Sequence, residues 1–189
     1  MDVAEAIKIR RAYRSFESIE INENIIKDLA RYAQLAPSCM NNQPWKYIFI
    51  RKNEIKKILS SFSSGNQIWS KNASLIVGVF TKKDDDCIMK ERKYYLFDVG
   101  LATAFLILRA TELGLVAHPI AGFDDEKAKL ILKIPAEMLL ITFIIIGKKS
   151  NEINPELNDY QKKQEISRPA RKKLKEFIYL DNYENRINE

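Results

Sequence analysis

The side chains best suited to chemistry fall in two short stretches. The first holds Arg10, Arg11 and Arg14; the second is Pro37-Ser38-Cys39-Met40-Asn41-Asn42-Gln43-Pro44-Trp45. In the second, an apolar helical pattern stops at Pro37 and an apolar strand pattern opens at Trp45, so a proline stands at each end of a polar loop. Prolines fix φ and lower the entropy of the unfolded loop, which holds the N–H and C=O groups between them ready for a ligand. The amides of Asn41, Asn42 and Gln43 offer donors and acceptors together, which suits the edge of a heteroaromatic ring better than a phosphate or a metal. Elsewhere the chain offers no convincing catalytic triad, and its single histidine, His118, has no second metal ligand near it in sequence.

The elements that must position these residues follow from periodicity and caps. Asp2, with Glu5 three residues on, caps a first helix whose face carries Val3, Ala6, Ile7 and Arg10. Ile7 is expected to be buried, with Arg10 one turn beyond it and Arg14 past the helix end. Asn22 caps a second helix running to about Ala36, with Ile21 and Ile26 as a hydrophobic staple; the residue before Pro37 is pushed out of helical geometry. Trp45 to Arg51 reads as a strand, Asn53 as the cap of a short helix to about Phe62, and Ser63 to Asn66 as a turn. Ser74 to Thr81 and Leu139 to Gly147 read as two more strands, the former central because both its faces are apolar. The charged connector from Thr81 to Glu91 reads as a solvated loop, and Ser150 to Gln164 as extended or loop-like. Asp124 begins a helix that stops before Pro135.

The longest helix spans about Arg92 to Leu113, and Gly114 ends it as a left-handed C-cap. From Val99 to Leu108 it is apolar on nearly every side, so it needs cover from a second subunit as well as from its own sheet. Gly100, Ala102 and Ala104 would let another backbone approach, and a homodimer is the expectation.

At 189 residues the chain fits one domain with a sizeable core, and 46% hydrophobic with 30% charged residues excludes a disordered chain. Cys39 and Cys87 are far apart with no partner spacing, so neither a disulfide nor a zinc cluster is expected, and a reducing cytoplasm follows. No signal peptide is evident, and the apolar run Met138 to Ile146 is too short to span a bilayer, so no membrane partner is expected. The net charge of +6 is spread along the chain apart from Arg168 to Lys175, which argues against nucleic acid as the primary partner.

The two stretches together resemble the nitroreductase family of flavoproteins. That family ends its first helix with Arg-x-Ser-x-Arg/Lys and carries a Pro-Ser-x-x-Asn-x-Gln-Pro-Trp loop further on; both are present in order, with Ala12 in place of the serine. The resemblance continues through Asp98 to Ala102, Glu112 to Leu115, Pro119 to Phe123, Ile146-Gly147 and Arg171 to Leu174, so it covers almost the whole chain. It implies an α+β fold: a three-layer α-β-α sandwich with a mostly antiparallel central sheet, built into an intertwined homodimer. It also implies one FMN-binding domain over residues 1–179, with 180–189 a frayed tail, and a C-terminal arm that crosses to the other subunit.

FMN carries a phosphate and, once reduced, a second negative charge at its pyrimidine edge, so two cationic positions are needed. By resemblance Arg10 meets the phosphate with Arg171, Arg14 faces the pyrimidine edge, and Arg11 and Ala12 complete the segment. Pro37, Ser38, Met40 and Asn41 contact the flavin across the dimer interface, while Pro44 and Trp45 support them. Asn66 is placed as a ring-edge amide, and Pro119, Ile120, Ala121 and Gly122 bring backbone N–H groups toward the reactive ring nitrogen. Ala12 removes one hydroxyl contact, worth about 1.5–3 kcal/mol against a charged group, unless Arg11 or a backbone amide compensates. His118 is expected to pack, and Cys39 to be a small buried residue.

The resemblance implies a ping-pong oxidoreductase: NADH or NADPH reduces the flavin and leaves, and a nitroaromatic, quinone or similar small acceptor then takes two electrons. No Gly-rich dinucleotide fingerprint follows a strand, so the nicotinamide is a transient substrate. The alternative is a flavin-binding or flavin-sensing protein without efficient turnover.

Overall fold

The computed structural model describes residues 1–187. Its centre is a pair of β-branched-rich strands, β3 (Leu75–Thr81) and β7 (Leu139–Lys149), which run antiparallel from Leu75 opposite Ile146 to Thr81 opposite Leu139. β2 (Lys46–Arg51) adds to the far side of β3, and β6 (Leu115–Ile120) pairs the other edge of β7. The two-residue β1 (Phe16–Glu17) continues beside β7 past the end of β3. Every strand pairing among the described residues is antiparallel.

Side chains alternate across the sheet, and each face has its own core. Leu75, Val77, Val79, Ile144 and Ile146 pack with Leu29 and Ala33 of α2 (Glu23–Gln34) and Val99, Leu106 and Ala110 of α5 (Tyr94–Glu112). Ile76, Phe143 and Ile145 pack on the opposite face with α3 (Lys52–Leu59), α4 (Ser64–Ser70) and α6 (Asp125–Leu132), through Ile55, Ile58, Trp69 and Ala128. The expected three-layer sandwich is therefore the observed one. Burying one such side chain fully contributes about 1.5–3 kcal/mol, so the alternation itself holds the sheet in register.

The caps at Asp2, Asn22 and Asp124 each accept a backbone N–H three residues on, as expected. Gly114, at φ +75°, follows the last residues of α5 in the left-handed region. Other expectations fail for local reasons. Asn53 is inside the first turn of α3, whose cap position is Arg51, and Ser64 to Asn66 are helical rather than a turn. Arg92-Lys93 pairs with Ile88-Met89 as a two-stranded hairpin, so α5 starts at Tyr94. β6 has no clear strand signature because Pro119 interrupts it, a residue tolerated there because the strand lies on a sheet edge. Within Ser150 to Gln164, read as loop, lies the start of α7 (Asp159–Ile166), capped by a reciprocal Asn158–Gln161 box; its polar surface leaves no apolar period to detect. In the segment expected as a tail, Leu180 N–H bonds Asn185 C=O and Tyr179 bridges Arg186, while 188–189 lie outside the described residues.

α1 (Val3–Ile9) lies against α5. Contrary to expectation Ile7 is 54% exposed, and Val3, Ile9, Leu96, Phe97 and Phe105 are exposed with it. α5, 19 residues long, is apolar enough in composition to cross a membrane, yet one side of it is buried against the sheet and α2.

Candidate functional site

The segment 10–15 has no regular structure of its own, and α7 holds it in place. The buried Glu165 carboxylate accepts the N–H groups of Arg14 (2.8 Å) and Ser15 (3.1 Å). Its neighbour Gln164 accepts from Arg14 Nη1 through its side chain (3.0 Å) and from Arg11 Nη2 through its carbonyl. Arg11 also lies over the Tyr13 ring at 4.6 Å, and Ala12 between them is half-buried. Arg14 Nε is buried and has no hydrogen-bond partner among the described residues. Burial lowers the Arg14 pKa, opposed by the Glu165 charge.

Arg10, the first residue after α1, is half-buried, and its pKa is lowered by burial and then by the charges of Arg168 and Arg171. Arg168 Nη2 donates to the carbonyls of Lys8 and Arg10, which fastens the C-terminal arm to the end of α1. Three guanidinium groups thus crowd one corner, an arrangement that an anion would relieve.

Beneath the segment, His118 Nδ1 donates to the Tyr13 carbonyl (2.9 Å) and the ring packs on Trp69 at 4.7 Å. Burial lowers its pKa to about 4, against the opposing Tyr13 hydrogen bond and with help from Arg14 and Arg10. His118 is a neutral packing residue, as expected.

After β6, Pro119 and Ala121 are exposed while Ile120 is buried and gives its carbonyl to Thr142 Oγ1 (2.8 Å). Asn66 Nδ2 donates to the Gly122 carbonyl at 3.1 Å, as does the Ser63 N–H at 2.9 Å. A Cβ on Gly122 would stand 2.6 Å from Ser63 Oγ and 2.8 Å from Asn66 Nδ2, so this close approach requires glycine.

The proline-bounded loop is more constrained than its sequence suggested. Met40, Asn41 and Gln43 all have left-handed φ (49°, 58° and 50°), each a local cost that the surroundings must offset. Ser38 Oγ accepts the Gln43 N–H (2.9 Å), and Asp98 Oδ2 on α5 accepts the Cys39 N–H (2.6 Å). Pro44 is buried and its carbonyl accepts from Thr81 Oγ1, the supporting role expected of it; Trp45 packs beside the α2–α5 core.

Cys39 is disulfide-bonded to Cys87, which overturns the expectation of two unpaired cysteines and removes the ground on which a reducing compartment was read. Long sequence separation misled: β2, α3, α4 and β3 carry the chain out and back, so residues 48 apart meet. The connector is correspondingly not a plain solvated loop, since Asp86 is buried and Lys46 pairs with Asp85. Met40, Pro37 and Ser38 line a cavity of about 490 Å³ with the disulfide and Phe97; Arg10, Arg11 and Arg14 are not in its wall.

Residues 7–77 match the profile of the nitroreductase family. The chain carries a nitroreductase-family signature and the nitroreductase fold. Superposition on a crystal structure described as an oxidoreductase containing FMN gives a TM-score of 0.84 at 24% identity, covering 97% of this chain and 92% of that one. An oxygen-insensitive NADPH nitroreductase of Helicobacter pylori is 28% identical over 179 residues, 76% of this chain and 85% of the relative. A Methanothermobacter thermautotrophicus protein, provisionally named an NADH dehydrogenase/NAD(P)H nitroreductase, is 28% identical over 152 residues, 78% of this chain and 77% of the relative. The structure brings Arg171 close enough to Arg10 for their charges to interact, and Asn66 Nδ2 onto the Gly122 carbonyl. Gln164, Glu165, Arg168 and the Cys39–Cys87 pair were missed. The Asn158-x-x-Gln161 box was the available sign of α7, and an even cysteine count the available sign of the disulfide.

Proposed function

We propose that this chain is an FMN-dependent oxidoreductase that takes a hydride from NADH or NADPH and passes two electrons to a nitroaromatic, quinone or similar small acceptor, in ping-pong order. The observation that carries the reading is the cationic corner, where Arg10 feels the charges of Arg168 and Arg171 with no carboxylate paired to them among the described residues, while Arg14 Nε nearby in sequence is buried and finds no partner among those residues. A phosphate dianion and an anionic ring edge are what such a donor set fits.

Bound FMN would supply the two-electron chemistry. Arg10 and Arg171 would hold its phosphate, with Arg168 fixing the arm that brings Arg171 in. Arg14 would stabilise negative charge at the ring edge, and its burial strengthens that effect. Pro37, Ser38, Met40 and Asn41 would meet the ring from a second subunit, which accounts for a loop cavity whose wall holds no arginine. The homodimer is supported by the exposed Val3, Ile7, Leu96, Phe97 and Phe105 on α1 and α5, and the crossing arm by the exposed Leu174 and Phe177. Residues 1–179 are taken as one domain, and the cytoplasm, where both nicotinamides are available, as its location.

The test is FMN titration followed by anaerobic reduction and steady-state oxidation of NADH and NADPH with a nitroaromatic acceptor. Arg10→Ala is expected to weaken FMN binding tenfold or more, the loss of about 1.5–3 kcal/mol from a charge-assisted contact, and Lys82→Ala to leave it unchanged. Equal effects of the two substitutions, or no binding by the parent chain, would sink the assignment. Binding without turnover would leave a flavin-binding protein instead of an enzyme.

A further inference from the structure

The Cys39–Cys87 disulfide lies in the middle of the loop proposed to meet the flavin, between Ser38 and Met40. It crosses from that loop to the connector before α5, both cysteines are half-buried, and both line the 490 Å³ cavity. The bond is therefore part of a cavity wall and not of either core. Two carboxyl groups back it. Asp98 Oδ2 accepts the Cys39 N–H at 2.6 Å, and Asp86 Oδ1 accepts the Cys87 N–H at 2.8 Å. Asp86 Oδ2 is buried and accepts from no N–H or O–H donor among the described residues, and an Asp86 oxygen and the two sulfurs all lie within 4.8 Å of one another. Burial raises the Asp98 pKa, opposed by the Cys39 N–H and reinforced by its contact with Asp86.

We propose that Cys39–Cys87 is a dithiol/disulfide redox centre that accepts an electron pair from the reduced flavin, which makes a protein disulfide an electron acceptor of this chain. The proposal rests on the FMN reading above. The S–S bond breaks as it takes two electrons. Bound FMN, once reduced by a nicotinamide, would supply that pair together with one proton. The second proton comes from solvent, which reaches the half-buried sulfurs through the cavity they line, and two thiols result. NADH or NADPH renews the reduced flavin. Opening the bond also frees Cys39 from the connector, leaving the Asp98 and Ser38 contacts to hold a loop with three residues at left-handed φ.

The experiment uses the full chain purified without reductant, loaded with FMN and titrated with NADPH and NADH in the absence of oxygen. Each point is acid-quenched, alkylated with iodoacetamide and weighed as the intact chain. The expected result is no adduct before reduction and about two per chain afterwards, on Cys39 and Cys87, appearing when FMN and a nicotinamide are both present. Complete reduction should consume about two equivalents of nicotinamide per chain, against about one for the Cys39→Ser, Cys87→Ser double variant, since each centre takes one electron pair. If the double variant does not fold, the wild-type adduct count decides. A flavin that is bleached while the sulfurs stay linked, or free thiols in the air-oxidised protein, overturns this proposal alone. A chain that binds no FMN, or whose FMN neither nicotinamide reduces, overturns the parent reading together with it.

Discussion

His118 shows how a residue type alone misdirects and an environment decides. A lone histidine beside a ligand site invites a proton-transfer role, but here Nδ1 serves the Tyr13 carbonyl and the ring is stacked on Trp69. Its folded pKa, lowered from 6.5 to about 4, makes it a term in stability. The unfolded chain binds a proton near 6.5 while the folded chain does not, so stability present above that pH is lost as pH falls toward 4. From pH 7 to pH 5 the loss from this group is expected to be about 2 kcal/mol. Urea unfolding at the two pH values measures it, and His118→Gln should flatten the difference. An unchanged slope would mean that another group carries it. Asn66 and Gly122 could each be singled out from the sequence, but their hydrogen bond to each other could not.

α7 is the element on which the arginine segment depends, and it was invisible to periodicity because it buries one carboxylate and no apolar stripe. A polar helix still forms here because its cap is strong and its inner face meets backbone donors that have no other partner. Glu165→Ala would leave the Arg14 and Ser15 N–H groups without an acceptor, at an expected cost of about 3 kcal/mol, and FMN affinity should fall with it. Glu156→Ala, which removes an exposed ion pair with Lys71, should stay within about 0.5 kcal/mol. Urea denaturation of both variants makes the comparison, and matching losses would deny α7 its anchoring role. β6 and α4 were lost for different reasons: a proline broke one signature, and a serine-glycine start imitated a turn in the other.

At the scale of the molecule, one chain leaves apolar surface uncovered on α1, on α5 and along the arm. Phe97 is 63% exposed within a single chain, so Phe97→Glu should barely change the stability of an isolated protomer, by about 0.5 kcal/mol or less. In a dimer it would put a charge into the seam. Sedimentation velocity is expected to give one species of twice the chain mass for the parent and a lighter species for the variant, with FMN lost in parallel. A parent that sediments as a single chain, or a variant that still pairs, would place the flavin contacts elsewhere.

Caps, strand alternation, the proline-bounded loop and the order of the motifs were all local in sequence, and from them the layered fold could be read and two stretches proposed to face a ligand. What needed three dimensions was every relation between distant parts: Glu165 under Arg14, Arg168 on the end of α1, and Cys39 against Cys87. The physical reason is that hydrogen bonds, ion pairs and disulfides act over a few ångströms of space whatever the chain length between partners, whereas periodicity and capping report neighbours along the chain.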